Sequence, residues 1–325
     1  MAHFDVFNGD ADGLCALQQL RLAQPRAGKL ITGVKRDIAL LKRVPAQAGD
    51  TVTVLDVSLE RNRAALLALL DRGVAVEYFD HHHAGRPLVH PGLRLHLDTG
   101  PQACTSLLVD AHLGGRFRDW TIVGAFGDDL GDQASRLSAQ QGLDEAATAA
   151  LRRLGEALNY HAYGDSEADL LMPAAKVHER MRRHAQPLDL VAADSLAQEL
   201  EARERDDMAW AARSARPMQA QGAWLLPDEP AARRVLGSWA NALSRAEPHQ
   251  AHVVLRPAGD CYVASVRAPR NAPCGADALC RVFGGNGRTA SAGVDRLPAD
   301  RLADFLLAFG RAFDAPQHQE AAGRQ

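Results

Sequence analysis

Short β-branched or aromatic runs alternate with longer helical patterns through the first third of the chain. Such alternation is typical of successive βα units that build a parallel sheet. We therefore predict an α/β fold with a parallel-sheet N-terminal domain. The predicted strands are 4–7, 30–34, 51–56, 74–79 and 93–97, and the predicted helices among them are 13–22 and 61–70.

Three of the predicted strands lead into residues that can bind a metal ion. In open parallel sheets, ligands bind outside the carboxyl ends of the strands, so these side chains should lie close together. Carboxylates crowded in that way repel one another unless a cation neutralises them. The three segments are Asn8-Gly9-Asp10-Ala11-Asp12-Gly13, Asp56, and Asp80-His81-His82-His83.

The chemistry of these donors favours one class of metal and one reaction. Mixed Asp and His ligands suit Mn²⁺ or a similar divalent ion better than Ca²⁺, which prefers oxygen ligands alone. No cysteine belongs to the three segments, which argues against a structural zinc site. Two ions about 3.5–4 Å apart could activate water for attack on phosphorus. The pattern therefore predicts phosphoester hydrolysis.

Each of the three segments also has a purely structural explanation when it is considered alone. Asp-x-Asp-Gly occurs in many turns, Asp56 could cap a helix, and a run of histidines could be a surface cluster. Their shared position at the ends of predicted strands is what favours a metal site over these explanations.

Composition and charge restrict the class of protein and its partners. The 325 residues exceed what one hydrophobic core usually fills, and 46% are hydrophobic and 24% charged, so we expect two globular domains. A net charge of −3 provides no field for long duplex nucleic acid, and no apolar run predicts a membrane partner. The five scattered cysteines and the absence of an apolar signal-peptide run predict a cytoplasmic location.

The remainder of the chain predicts a helical extension, a linker helix and a smaller mixed α/β domain. Residues 104–177 are mostly helical in pattern, with a break at 124–132, and 188–213 have the composition of one long helix. Prolines near 217 and 227 mark the entry to the second domain. The predicted borders are 1–187 for the first domain, 188–215 for the linker helix, 216–316 for the second domain, and 317–325 for a disordered tail.

With these motifs, the first domain closely resembles the DHH phosphoesterase superfamily. Cys104-Thr105-Ser106 resembles the Thr-Ser helix start of that family, and Ala125-Phe126-Gly127-Asp128 resembles its fourth motif. Residues 158–164 are similar to a stretch of some members, although a helix that ends at Gly164 would look the same. Asn8 stands near the position where several members have a metal-binding histidine.

The resemblance implies a centre of two metal ions and a role for each residue around it. Mn²⁺ is the implied metal, with Mg²⁺ or Co²⁺ as substitutes. Asp56 would bridge the ions and act in catalysis, and His82 would contact the substrate or give a proton to the leaving oxygen. Asp129 and Asp132 are neighbours that could be mistaken for Asp128. The implied metal ligands are Asp10, Asp12, Asp56, His81 and Asp128, and the implied substrate contacts here are Asn8, His82 and His83.

The glycine-rich segment 283–293 resembles the phosphate-binding loop of the DHHA1 domain. Glycines let backbone N–H groups approach a phosphate closely, although a glycine loop considered alone is more often a turn. Arg267, in a Ser-x-Arg element, would meet a terminal phosphate, and 237–241 (GSWAN) resembles the start of a family helix. Arg288 stands where many members have a histidine. The implied substrate contacts of this domain are Arg267, Gly284, Gly285, Asn286, Gly287 and Arg288.

The compact order of DHH followed by DHHA1 resembles nano-RNases, pAp phosphatases and linear-dinucleotide hydrolases. Our preferred interpretation is hydrolysis of very short 5′-phosphorylated oligoribonucleotides, such as pGpG or pApA, to mononucleotides. The alternatives are a pAp 3′-phosphatase, a general short-oligonucleotide exonuclease, an exopolyphosphatase or pyrophosphatase, and a nucleotide-binding sensor with weak catalysis. The resemblance also implies a homodimer formed through the first domain.

Overall fold

The structure is a computed structural model that describes residues 1–313. The chain divides into two compact units, Met1–Glu204 and a second unit that starts at Arg205. This division lies between the predicted borders at 187 and 216. The predicted disordered tail at 317–325 lies outside the described residues.

The first unit contains a five-stranded sheet in which all strands run parallel. The strands are β1 (His3–Phe7), β2 (Lys29–Ile31), β3 (Thr51–Leu55), β4 (Ala75–Asp80) and β5 (Leu93–Leu97). Their order is β2-β1-β3-β4-β5, so the chain leaves β1 to one side and later returns to its other side. Open α/β sheets bind ligands at such a reversal of strand order. The predicted α/β class and parallel sheet are confirmed.

Helices occupy most of the first unit beyond β5, as the sequence predicts. The predicted break at 124–132 is present, because one helix ends at Gly127 and the next begins at Gly131. The helices of the first unit up to residue 193 are α1 (Ala11–Ala23), α2 (Leu59–Asp71), α3 (Thr105–His112), α4 (Arg118–Gly127), α5 (Gly131–Gln140), α6 (Glu145–His161), α7 (Ala174–Met181) and α8 (Pro187–Ala193), of which α3 to α8 follow β5.

Two hydrophobic cores lie on opposite faces of the parallel sheet, because successive residues of a strand point to opposite sides. Phe7, Leu55 and Phe79 belong to the core that also contains residues of α1, α3, α4 and α6. Val54 and Tyr78 precede two of them along the strands and belong to the core that contains α2. All five side chains are buried, so the carboxyl ends of β1, β3 and β4 are anchored by packing on both faces of the sheet.

The segment predicted as one long linker helix contains two helices. α8 ends at Ala193, and α9 (Leu196–Ser214) begins after a break at Asp194. The Asp194 carboxylate accepts a hydrogen bond from the backbone N–H of Leu196 (2.8 Å) and another from Arg180 (2.9 Å). An aspartate side chain that accepts from the first backbone N–H of the next helix competes with continuation of the preceding helix. The prediction of one continuous helix was therefore wrong.

The second unit contains a six-stranded mixed sheet with the order β10-β11-β9-β8-β7-β6. The β7 and β8 strands pair in parallel and the other neighbours are antiparallel. The strands are β6 (Arg216–Pro217), β7 (Ala223–Leu225), β8 (His252–Ala258), β9 (Cys261–Arg267), β10 (Asn286–Arg288) and β11 (Ser291–Pro298), and the helices are α10 (Pro230–Ala246), α11 (Ala276–Val282) and α12 (Leu302–Phe313).

The GSWAN segment at 237–241 lies in the middle of α10, so the expectation that it starts a helix was wrong. The helix begins seven residues earlier at Pro230, a residue that is favoured in the first turn. Among the residues that the structure describes, neither this helix nor any other is long and apolar enough to cross a membrane.

Candidate metal centre

The segments that follow β1, β3 and β4 come together at the carboxyl end of the parallel sheet. Asp10 caps α1 directly after β1, Asp56 follows β3, and His81 follows β4. Because β1, β3 and β4 are adjacent in the sheet, these three ends are neighbours in space. The strand order therefore brings residues far apart in sequence to one place.

Two overlapping groups of three side chains at this place could each hold a metal ion. One group is Asp12, His81 and Asp128, and the other is Asp56, His81 and His82; one ligand atom per residue lies within 4.8 Å of the others. His81 Nε2 lies 3.3 Å from an oxygen of Asp56 and 3.8 Å from an oxygen of Asp128. Three carboxylates and two imidazoles form a donor set that suits a divalent transition-metal ion.

Burial and mutual repulsion make the carboxylates unfavourable neighbours in the absence of a cation. Asp56 is 2% exposed, and burial together with the charges of Asp10 and Asp12 raises its pKa well above the ordinary value. Burial and the charge of Asp12 also raise the pKa of Asp128 to about 7. A divalent ion would offset this repulsion, so the residues present fit the metal that the sequence predicts.

The backbone at Asp56 has a conformation that residues other than glycine seldom adopt. Its φ is +57°, in the left-handed region, where aspartate and asparagine are tolerated better than most residues. The backbone N–H of Asp56 donates to the Phe79 carbonyl (3.0 Å), and the Thr105 hydroxyl donates to the Asp56 carboxylate (3.3 Å). Backbone strain of this kind is frequent where a side chain must be aimed at a functional site.

The Asp12 side chain is fixed by the N-terminus of α3. Its two carboxylate oxygens accept hydrogen bonds from the backbone N–H groups of Thr105 (2.6 Å) and Ser106 (2.7 Å). The Ser106 hydroxyl also donates to this carboxylate. Helix N-termini favour carboxylates because their first N–H groups have no partner within the helix. The Thr-Ser segment therefore orients a predicted metal ligand.

Asp10 lies beside the cluster and has other partners. One carboxylate oxygen caps α1 by accepting hydrogen bonds from the backbone N–H groups of Asp12 and Gly13 (3.1 Å each). The other accepts a hydrogen bond from Lys35 Nζ at 2.7 Å. Burial alone would raise the pKa of Asp10, but the Lys35 ammonium outweighs burial and holds the pKa below its ordinary value. Asp10 belongs to neither three-residue group.

Lys35 is a residue of the site that the sequence did not reveal. Its Nζ also donates to the Asn159 side chain at 2.7 Å and lies 3.9 Å from an oxygen of Asp128. Burial alone would lower the pKa of Lys35, but the charge of Asp10 raises it above its ordinary value, so the ammonium stays charged. The family-like segment 158–164, which contains Asn159, was the one sequence signal near this contact.

Asp80 positions His82 and is not a member of either metal group. One oxygen of this fully buried carboxylate accepts from the His82 backbone N–H (3.1 Å) and lies 2.7 Å from His82 Nδ1. The other oxygen accepts from the backbone N–H of Leu59 (3.0 Å). The hydrogen bond to Asp80 raises the pKa of His82. A carboxylate on Nδ1 fixes the ring and leaves Nε2 for a substrate.

Asn8 and His83, both predicted substrate contacts, lie outside the two metal groups. Asn8 is buried, and its amide serves its own loop by donating to the Lys35 carbonyl (3.2 Å) and accepting from the Asp10 backbone N–H (3.3 Å). The His83 side chain is exposed, and its Nδ1 lies 3.2 Å from a carboxylate oxygen of Glu60. The structure thus places Asn8 in support of the loop and His83 at the surface.

Arg267 in the second unit is oriented by neighbours at the end of β9. Its guanidinium donates to the Ser265 hydroxyl and the Val266 carbonyl, both at 2.9 Å, and to the Gly237 carbonyl at 3.3 Å. The Asn241 side chain of α10 also accepts from it. The Ser-x-Arg and GSWAN segments therefore meet at this arginine, which gives the middle of α10 a role that its sequence resemblance did not reveal.

The first glycines of the predicted phosphate loop end a helix. Gly284 has a φ of +77° and follows α11, and its backbone N–H donates to the Arg281 carbonyl (3.2 Å). The next N–H, of Gly285, donates to the Cys280 carbonyl (2.8 Å). This pair of hydrogen bonds is the Schellman arrangement, in which glycine is the favoured residue. The end of α11 therefore explains the glycine at position 284 without a bound phosphate.

The rest of the predicted loop is one strand of a β-hairpin. β10 contains Asn286, Gly287 and Arg288, all exposed, and pairs with β11. Gly287 has a φ of +147°, and a Cβ atom built on it would lie 2.6 Å from the Cβ of Ala292. A side chain at this position would therefore force the two strands apart. Close strand pairing explains this glycine as well.

Comparisons with solved structures identify the fold. The structure of the exonuclease RecJ bound to manganese is 20% identical over 96% of this chain and 89% of its own, with a TM-score of 0.57. The pGpG-specific phosphodiesterase PggH from Vibrio cholerae is 14% identical over 97% of this chain and 99% of its own, with a TM-score of 0.57. RecJ from Thermus thermophilus in complex with Mn²⁺ is 19% identical, with a TM-score of 0.58, and this chain spans about half of it (94% and 51% covered).

No protein-family model and no curated protein matches the sequence. The structural likeness nevertheless covers both units of the chain, and it agrees with the motifs at the ends of β1, β3 and β4. The chain therefore has the fold of the RecJ and PggH structures, with the two-domain α/β layout that the resemblance to the DHH/DHHA1 superfamily predicts.

Proposed function

We propose that this protein is a metal-dependent phosphodiesterase that hydrolyses very short 5′-phosphorylated oligoribonucleotides to mononucleotides. Linear dinucleotides such as pGpG or pApA are the preferred substrates in this proposal. The observation that carries it is the cluster at the sheet edge in which the buried Asp12 and Asp56 meet the partly exposed His81 and Asp128. Buried acids that repel one another are costly to a fold, so their convergence favours a catalytic metal site over a structural role.

The proposed cofactor is a pair of Mn²⁺ ions, with Mg²⁺ or Co²⁺ as substitutes. Solved structures of RecJ with manganese and with Mg²⁺ support a divalent ion in a chain of this fold. When bound, such ions lower the pKa of water and stabilise charge on phosphoryl oxygens. Asp12, Asp56, His81 and Asp128 would hold them, and Asp10 would join once it exchanges the Lys35 ammonium for an ion.

The proposed role of His82 is to deliver a proton to the leaving oxygen. Asp80 holds Nδ1 of His82 at 2.7 Å, so Nε2 is the nitrogen presented to a substrate. The same contact raises the pKa of His82, which favours the protonated ring that a general acid needs. In this scheme Asp80 is a positioning residue, because it acts through His82 and not on the substrate.

The proposed preference for short, 5′-phosphorylated substrates rests on the second unit. Arg267 presents a guanidinium oriented by Ser265 and Asn241, a geometry suited to bidentate recognition of a terminal phosphate. Arg288 on the exposed β10 strand is a second cation for the same group. The likeness to PggH over 99% of that chain supports a dinucleotide substrate, since PggH is a pGpG-specific phosphodiesterase.

The compartment in this proposal is the cytoplasm, where disulfides are rare. All five cysteines are free thiols in the structure, which is compatible with that compartment.

The partners in the proposal are a short nucleotide substrate and a second copy of the chain. Size-exclusion chromatography with light scattering would detect the homodimer as a mass near 70 kDa, about twice the 35.0 kDa of one chain.

The experiment that tests the substrate is Mn²⁺-dependent cleavage of 5′-phosphorylated RNAs of two to seven nucleotides, resolved by length over time. Fast loss of the dinucleotide while longer RNAs persist is the expected result. Equal cleavage at every length would instead indicate a general short-oligonucleotide exonuclease. Turnover confined to pAp or polyphosphate, assayed in parallel, would contradict the proposed substrate, and absence of any Mn²⁺-dependent turnover would contradict the enzyme itself.

A further inference from the structure

A second cluster of metal-binding side chains lies apart from the proposed catalytic residues. It consists of Glu77 on β4, His96 on β5 and His112 in the last turn of α3. One ligand atom from each lies within 4.8 Å of the others. The carboxylate and the two imidazoles come from three different elements, so no local sequence motif connects them.

The sheet and helix place the three side chains on one face. His96 on β5 is paired directly with Phe79 on β4, and Glu77 lies two residues before Phe79 and so points to the same side. His96 Nε2 is 3.2 Å from a carboxylate oxygen of Glu77. His112 reaches this face from α3, with its ring centre 4.9 Å from that of His96.

A buried phenylalanine holds both histidine rings in position. The Phe79 ring is fully buried and stacks on His96 with centres 4.1 Å apart and planes 6° from parallel. The same ring meets His112 edge-on, with centres 5.3 Å apart. Because both imidazoles pack on one rigid ring, a ligand that joined them would cost little side-chain freedom. The cluster is therefore ordered before any ion binds.

The exposure of the cluster is suited to a metal ion. Glu77 and His96 keep about a third of their side-chain surface open to solvent, at 31% and 32%, and His112 is exposed. An ion could enter from solvent, and water could complete its coordination shell. Two imidazoles and one carboxylate with an open position are a known donor set for Zn²⁺, and nitrogen-rich sites favour ions late in the first transition row.

We propose that Glu77, His96 and His112 form a binding site for one Zn²⁺-class ion, separate from the proposed catalytic centre. This site joins β4, the edge strand β5 and the C-terminal end of α3. The N-terminal end of α3 carries the backbone N–H groups of Thr105 and Ser106 that hold Asp12. An ion at the second site therefore anchors the helix that orients a catalytic ligand.

The test is a count of Zn²⁺ bound per chain by equilibrium dialysis of the chelator-treated full chain. Because the proposed catalytic centre would also take up Zn²⁺, the informative quantity is the difference in bound Zn²⁺ between variants. His112→Gln and Glu77→Gln should each bind one ion fewer than the natural chain, or bind that ion more than about 100-fold more weakly, since loss of supporting contacts alone costs about 10–100-fold. The exposed His249, in the second unit, provides the matched control His249→Gln, which should bind the full number.

A second readout separates metal binding from folding. All three variants should keep their circular dichroism spectra and their melting temperatures in the absence of metal, because the substituted side chains are wholly or partly exposed. Added Zn²⁺ should raise the melting temperature less in His112→Gln than in His249→Gln. Equal Zn²⁺ counts for the natural chain and His112→Gln would overturn the proposal, as would an equal loss in His249→Gln.

Discussion

The two regions from which substrate chemistry was predicted differ in what explains their residues. At the edge of the parallel sheet, Asp56 and Asp128 are crowded carboxylates whose pKa values are raised by burial and by neighbouring acids. In the second unit, Gly284 and Gly287 end a helix and let two strands approach. The two acids have no structural explanation unless a cation is bound between them. The two glycines are explained by the fold even when no phosphate is bound.

The difference separates residues that destabilise the fold from residues that the fold requires. A residue that harms the fold where it stands is retained for function, because the fold would be more stable without it. A residue that the fold requires gives no independent support for function. The residues that favour catalysis are therefore concentrated in the first unit, and Arg267 is the residue of the second unit to which we assign recognition of the substrate.

The largest effect is expected from Asp56→Asn. Asparagine keeps the size of aspartate and tolerates the left-handed backbone at φ +57°, but it removes the negative charge of a proposed metal ligand. Mn²⁺-dependent hydrolysis of pGpG should fall by more than about 100-fold, which exceeds the loss usually caused by a supporting residue. The initial rate of hydrolysis measures this effect.

Asp129→Asn is the matched control for that substitution. Asp129 is also an aspartate with a left-handed backbone, at φ +63°, and it is exposed and belongs to neither metal group. This variant should keep a rate within about 2-fold of the natural chain. A loss as large as that of Asp56→Asn would contradict the ligand assignment, which names Asp128 and not its neighbour.

An effect of about 10- to 100-fold on kcat is expected from Asp80→Asn, because Asp80 holds His82 and in the proposed scheme does not touch the substrate. The KM for pGpG should change little. The acidic carboxylate also raises the pKa of His82, so its loss should move the alkaline limb of the kcat–pH profile to lower pH. An unchanged profile with a reduced rate would show that Asp80 has a structural role alone.

A smaller effect, confined to stability, is expected from Gly287→Ala. The added Cβ would lie 2.6 Å from Ala292 Cβ at a φ of +147°, so we expect a loss of about 1–3 kcal/mol in the free energy of unfolding. Gly284→Asn is the comparison, because no heavy atom lies within 4 Å of the new Cβ and asparagine tolerates φ +77°. Urea denaturation measures both, and equal stability of Gly287→Ala and the natural chain would contradict the structural explanation.

The smallest effect is expected from Arg267→Lys. Lysine keeps the charge but cannot reproduce the fork of hydrogen bonds, so the KM for 5′-phosphorylated dinucleotide should rise by about 10-fold. The KM for the same dinucleotide without its 5′-phosphate should change less. Arg296→Lys is the control, because that side chain is 79% exposed and lies on β11 with one long contact to Asp260. An equal rise in KM for both substrates would show that Arg267 does not recognise the terminal phosphate.

The sequence predicts the parts of the site that depend on local patterns. The five strands of the first unit and the acids that follow β1, β3 and β4 could be predicted, because strand periodicity and short motifs are local. Lys35 could not, since its contacts with Asp10 and Asn159 span 25 and 124 residues. The break at Asp194 was also missed, because a side-chain hydrogen bond to the start of the next helix outweighed a composition that favours helix.

The proposed metal centre is tested most directly by the melting temperature of the metal-free chain and its response to Mn²⁺, each compared with that of Asp56→Asn. If Asp56 is retained for a cation, metal-free Asp56→Asn should melt above the natural chain, by about 2–4 °C for each kcal/mol of repulsion removed. Added Mn²⁺ should raise the melting temperature of the natural chain more than that of the variant. A metal-free variant that melts below the natural chain, with an equal response to Mn²⁺ in both, would contradict the assignment of Asp56 as a metal ligand.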